Sequence, residues 1–117
     1  METNPRDFLP LTAAQFHILV ALSDGVRHGY AIMQAVESDS DGIVKMGPAT
    51  LYGTLKRLVE NGLAEEVPAP DGASDDTRRR YYRLTGLGAM VCSAEADRLA
   101  ALVKSVRSSL RPVLGLS

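Results

Sequence analysis

A mainly α-helical fold with one small β-hairpin, a winged helix-turn-helix carrying a long C-terminal dimerisation helix, is predicted by three observations. Gly47 to Leu58 (GPATLYGTLKRL) has the spacing of an amphipathic helix, and Arg78 to Gly86 (RRRYYRLTG) has the composition of a strand returning from a loop. The last third of the chain repeats apolar residues at threes and fours. Helix, strand, loop, strand is the winged order, and a reading helix beside a basic wing points to DNA as the partner.

Taken from the start, residues 1–10 are expected to form a flexible arm. Thr12, followed three residues on by Gln15, is a capping-box pattern, so a helix begins there. Phe16, Ile18, Leu19, Val20 and Leu22 make it apolar on most sides, as a centrally packed helix is. Ser23 to Arg27 is a turn containing Gly25. A second helix runs from about Gly29 to Ser38, with Tyr30, Ile32, Met33 and Val36 as its buried set, until Asp39 to Gly42 breaks it. The short extended piece Ile43 to Met46 leads into the third helix.

Pro48 suits the first position of that helix, where its missing N–H is no loss and its φ is already helical. Leu51, Leu55 and Leu58 stack on one face and leave Thr50, Gly53, Thr54 and Arg57 on the opposite one, flanked by Tyr52 and Lys56. The outer face is therefore small, hydroxylated and basic, fit to enter a major groove and meet base edges and phosphates. Asn61 and Gly62 stop the helix. Leu63 to Val67 reads as a strand, Pro68 to Thr77 as a loop, and Arg78 to Thr85 as the second strand of a hairpin. Arg78, Arg79, Arg80 and Arg83 place four positive charges in six residues with no acid among them, a match for a phosphate backbone.

Length and composition bound the function. A chain of 117 residues, 45% hydrophobic, makes one compact domain with a modest core. The formal net charge is -1, against the basic excess usual for DNA-binding domains. Distribution answers this in part: the acids gather at Glu37, Asp39, Asp41, Glu65, Glu66, Asp71, Asp75 and Asp76, and the wing arginines are expected to stand apart from them. One cysteine, Cys92, excludes an internal disulfide, and with two histidines no zinc spacing exists, so no metal and no cofactor are expected. No base, nucleophile and carboxylate constellation is visible, so an enzyme is not expected. The chain shows neither a signal peptide nor an apolar run long enough for a membrane span, which places it in the cytoplasm.

From Gly86 a long helix is expected, running over about Ala89 to Leu110. Leu99, Leu102, Val103, Val106 and Leu110 recur along it as a seam for a partner helix, the alternative being that this stripe folds back on its own domain. Single residues have plain readings: His28 caps a helix, His17 is a core or boundary residue, and Cys92 is a small buried hydrophobe rather than a redox sensor. Of Tyr81 and Tyr82, which alternate along a strand, one should point inward and the other outward.

HGYAIMQAVE (His28 to Glu37), GPATLYGTLKRLVENGL (Gly47 to Leu63) and RRRYYRLTGLG (Arg78 to Gly88), in this order and spacing, resemble the PadR family of bacterial transcriptional regulators, in its smaller form with a single C-terminal helix. The likeness covers about Leu11 to Leu110. It implies a homodimeric winged-helix repressor on a palindromic operator, released by a small aromatic or hydrophobic effector. Carried over by position, it makes Tyr52 a phosphate contact and Thr50, Thr54, Lys56 and Arg57 DNA-facing, with Arg78, Arg79 and Arg80 as the basic start of the second wing strand. Two departures stand out: Ala49, where many members carry glycine, and a C-terminal helix with no tryptophan on which a flat drug could stack. The expected organisation is an arm over residues 1–10, a DNA-binding domain over 11–85 and a dimerisation helix with its tail over 86–117. The competing reading is a winged helix used for protein contact without sequence-specific DNA binding. It would call for an acidic or apolar face on the third helix, and Thr50, Thr54, Lys56 and Arg57 provide neither.

Overall fold

The computed structural model of the chain describes residues 3–72 and 79–116. Its elements are a 3-10 helix (Pro5–Phe8), α1 (Ala13–Leu22), β1 (Arg27–His28), α2 (Gly29–Asp39), α3 (Pro48–Glu60), β2 (Ala64–Val67), β3 (Tyr81–Leu84) and α4 (Gly86–Val113). The fold is the expected mainly helical winged arrangement. Its sheet, however, has three antiparallel strands in the order β1-β3-β2 rather than a lone hairpin. The added strand is two residues long, too short to show a period of two in the sequence.

Each helix begins and ends as its local chemistry dictates. The Thr12 hydroxyl accepts the Gln15 N–H while the Gln15 side chain accepts the Thr12 N–H, the reciprocal box the spacing implies. α3 ends in a Schellman pair, with the Leu63 N–H on the Leu58 carbonyl and the Gly62 N–H on that of Val59, which is open to Gly62 because its φ is +76°. α2 closes in the same way at Asp41 and Gly42.

The core gathers where α1, α2 and α3 meet the sheet. Ile18, Leu19, Leu22, Ile32, Val36, Leu51, Leu55, Leu58, Leu63, Tyr82 and Val91 are buried together there. On α2 the buried set is Gly29, Ile32 and Val36, with Met33 partly buried, and Tyr30 is 60% exposed. The expected burial of Tyr30 fails because one helix turn separates the covered positions, and Tyr30 lies off that stripe. Tyr81 and Tyr82 are both buried, against the expectation of one in and one out. β3 is the central strand: Tyr82 faces the helices, and on the other face His28 of β1 sits opposite Tyr81 and meets its ring edge to face at 5.6 Å.

The segment expected as an arm carries the 3-10 helix, and Phe8, Leu9 and Leu11 pack against the core. Leu11 donates its N–H to the carboxylate of Glu95 at 2.7 Å, and Arg98 holds the same carboxylate. Glu95 is 1% exposed, so these partners are what make its burial tolerable. The Arg98 hydrogen bond holds its carboxyl below the usual glutamate range, with burial opposing and the Leu11 N–H assisting.

α4 is bolted to the corner between α3 and β2. The Thr85 hydroxyl caps α4 by accepting the Gly88 N–H and donates to the Gly62 carbonyl, and the Thr85 N–H reaches the Leu63 carbonyl. A Cβ built at Gly88 would lie 1.8 Å from the Leu63 carbonyl oxygen, whereas one at Gly86 would meet nothing. At 28 residues α4 is about 42 Å long, and from residue 101 to residue 116 every position is exposed. Gly88→Ala is expected to lower stability in urea unfolding by at least the ~1–3 kcal/mol typical of overpacking, because a backbone carbonyl must move. Gly86→Ala, in open space, is expected to be neutral or to stabilise by up to about 1 kcal/mol.

Candidate nucleic-acid interface

With Leu51, Leu55 and Leu58 fully buried, the opposite face of α3 is set: Thr50, Gly53 and Arg57 are exposed and Thr54 is half-buried. Thr54 donates its hydroxyl proton to the Thr50 carbonyl at 2.7 Å, so on this face it is left as an acceptor. A second stripe, one third of a turn round the helix, faces the wing. Tyr52, Lys56, Val59 and Glu60 from α3 join Glu66, Arg80 and Tyr82 from the sheet around an open cleft of about 640 Å³. The site residues read from the sequence thus fall in two groups, with Thr50, Thr54 and Arg57 on the outer face and Tyr52, Lys56 and Arg80 in the cleft.

Tyr52 has a structural task as well as a surface position. Its side chain is half exposed, yet its ring lies over Gly29, where an added Cβ would fall 2.3 Å from the hydroxyl oxygen. Glycine as the first residue of α2 lets the Tyr52 ring lie there, and a larger residue would require that ring to swing away. His28, one residue earlier, accepts the Ala31 N–H through Nδ1 and so caps α2. Burial lowers its pKa, and the nearby positive charge of Arg79 lowers it further, as befits an imidazole that must stay neutral to accept.

Arg79 and Arg80 are exposed at the start of the returning strand, and Arg78 lies outside the described residues, as do Asp75 and Asp76. The expectation that the wing arginines stand apart from the acids is not met. Glu66 pairs with Arg80 at 3.6 Å, and Glu65 pairs with Arg83 directly across the strands. The register puts them there, and a run without acids in sequence says nothing about the neighbouring strand. Glu60, Glu66, Tyr82 and Gly29 are the participants that sequence reasoning missed. The signal for Glu66 lay in pairing the two wing strands residue by residue.

On α4, Leu99 is half-buried, and Leu102, Val103, Val106 and Leu110 are 43–50% exposed. These four line an apolar groove of about 390 Å³ with Arg107, so the stripe does not fold back on its own domain. Cys92 is half-buried against the core, and burial pushes its thiol pKa up, away from the thiolate a redox sensor uses. Among the described residues no group of histidine, cysteine and carboxylate side chains could hold a metal, and no helix is long and apolar enough to cross a membrane.

The profile of the transcriptional regulator PadR-like family matches residues 18–94. A 37.1 kDa protein in a transposon of Streptomyces fradiae, described as uncharacterized, is 36% identical over 99 residues, which is 85% of this chain and 26% of that protein. The chain therefore spans about a quarter of that relative. A PadR family transcription regulator from Clostridium difficile superposes with a TM-score of 0.71 at 21% identity, covering 85% of this chain and 99% of that one. BpsR of Bordetella bronchiseptica, whose DNA binding is regulated by 6-hydroxynicotinic acid, superposes with a TM-score of 0.65 at 24% identity, covering 90% of this chain and 67% of that one.

Because the folded pKa of His28 lies below its unfolded value, the cap contributes full stability above the ordinary imidazole range and is lost as pH falls through the lowered folded value. Thermal unfolding followed from neutral to acid pH is expected to show this loss in the wild type and less of it in His28→Asn, which keeps a capping side chain that does not titrate.

Proposed function

Since the chain belongs to the PadR-like family of transcriptional regulators, we propose that it is a homodimeric repressor, acting in the cytoplasm, that reads a palindromic operator with α3 and holds the backbone with the wing. It is a regulator and not an enzyme. The observation that carries the reading is the exposed, hydroxylated and basic outer face of α3, beside which Lys56 and Arg80 share a cleft with the wing. A helix face of that kind offers acceptors and cations to base edges and phosphates, and the wing arginines extend the contact along the backbone. Thr50 and Arg57 stand at the outer edge of the helix, where groove contact falls. Tyr52 and Lys56 stand toward the phosphates. Arg79 and Arg80, just before β3, extend the contact along the backbone.

α4 supplies the surface for dimerisation. Sixteen exposed positions, 101–116, extend past the core. They carry a stripe of Leu102, Val103, Val106 and Leu110, a seam that a second copy buries at helical spacing, with Leu99 where the helix leaves the core. Two copies joined in this way present two reading helices to half-sites about one DNA turn apart, which is why the operator is expected to be palindromic. The effector is a small aromatic or hydrophobic molecule that releases the repressor from its operator. The C-terminal helix carries no aromatic residue on which a flat ligand could stack, which counts against that mode of binding.

In a gel shift with the DNA flanking its own gene at moderate salt, Arg57→Ala with Arg79→Ala is expected to weaken retention at least tenfold, two cationic contacts having been removed. Unchanged retention would sink the DNA-binding assignment. In sedimentation at micromolar concentration, Leu102→Glu with Val106→Glu is expected to yield monomers that keep the helical circular dichroism of the wild type. A wild type that already sediments as a monomer would count against the seam.

A further inference from the structure

The cleft between α3 and the wing holds opposite charges in equal number. Lys56 and Arg80 enter it from α3 and from the start of β3, and Glu60 and Glu66 enter it from the end of α3 and from β2, over the rings of Tyr52 and Tyr82. Strand register explains why Arg80 meets Glu66. Glu66 lies opposite Tyr82, and side chains two apart on a strand share a face, so Arg80 is the diagonal neighbour of Glu66 on the side toward α3. The guanidinium Nη1 of Arg80 is 3.6 Å from Oε2 of Glu66, and the two side chains remain 67% and 48% exposed. The other wing pair, Arg83 with Glu65, is directly cross-strand on the opposite face and lines no part of the cleft.

A carboxylate offers a guanidinium two anionic oxygens in much the geometry that a phosphate does. We propose that the cleft is a seat for a DNA backbone phosphate, in which Glu66 occupies Arg80 until the phosphate displaces it, so that Glu66 limits binding to bulk DNA. The proposal rests on the DNA-binding reading above and adds the residue that tempers it. An exposed pair of this kind is weak enough to exchange. The exchange still counts against binding, because the attraction of Arg80 to the phosphate is offset by the pair it leaves and by the Glu66 charge that then faces the backbone. Bulk DNA offers phosphates alone and feels that offset fully, whereas an operator adds base contacts from α3 that lie outside the cleft. A net charge of -1 on a DNA-binding chain is the wider expression of the same restraint.

The test is fluorescence anisotropy of the full chain with a labelled mixed-sequence duplex across a salt series. Glu66→Gln is expected to tighten binding about two- to fivefold at low salt, the range of an exposed ion pair. It is also expected to steepen the slope of log K against log salt by up to about 0.9, the value for one further phosphate contact. Glu65→Gln removes an equal charge on the far face of the sheet and is expected to change binding by less than half as much. In an Arg80→Gln background, Glu66→Gln is expected to lose most of its gain, since no arginine is left to release. An equal gain from Glu65→Gln, or a Glu66→Gln gain undiminished without Arg80, would overturn the phosphate seat and leave the DNA-binding reading standing. A wild type that binds no duplex at any salt would overturn both.

Discussion

The junction of Thr85 and Gly88 with Gly62 and Leu63 is the constraint on which the rest of this molecule depends. One hydroxyl caps α4 and binds the carbonyl of the turn that ends α3, and the missing Cβ at Gly88 lets α4 approach the backbone of Leu63 within a distance no other residue permits. α3 and α4 are thereby joined through backbone atoms rather than long side chains, so the direction in which α4 leaves the domain is tied to the direction in which α3 presents its outer face. In the proposed dimer through α4, that coupling would set the separation of the two reading helices. The buried carboxylate of Glu95 extends it, tying the N-terminal segment to the same helix through Leu11.

A second coupling joins the two helices of the motif. Tyr52 lies over Gly29, and His28 beside it caps α2 and meets Tyr81 of the central strand edge to face. Helix, cap and sheet are therefore adjacent through three consecutive contacts, made by a glycine with no Cβ, an imidazole that accepts and a ring. The electrostatics of the wing follow from the sheet in the same way. Register places Glu65 against Arg83 and Glu66 beside Arg80, so the basic strand is moderated by its own partner strand before any DNA arrives.

Much was legible in the residues alone, wherever the determinant is local. Thr12 with Gln15, Pro48 at a helix start, Gly62 past a helix end and the leucines at 51, 55 and 58 each act within one or two turns of chain, so their spacing shows the result. The outer face of α3 followed from the same periodicity, and the family resemblance from three short runs in order. What was not legible depends on neighbours remote in sequence. Tyr30 has the composition of a core residue and lies outside it. Tyr81 is covered because a two-residue strand pairs beside it.

The sequence by itself determined the winged helical class, the order of the four α-helices and the wing hairpin, the outer face of α3 and the family, because helix periodicity, caps and turns are properties of adjacent residues. Only the tertiary structure decided the third strand, the close approach at Gly88, the carboxylate held between Leu11 and Arg98, and the acid that shares the cleft with Arg80. The physical reason is the same in each case. Strand register and helix docking bring together groups separated by between about fifteen and eighty positions, and neither their distance nor their mutual charge is written in any single stretch of the chain.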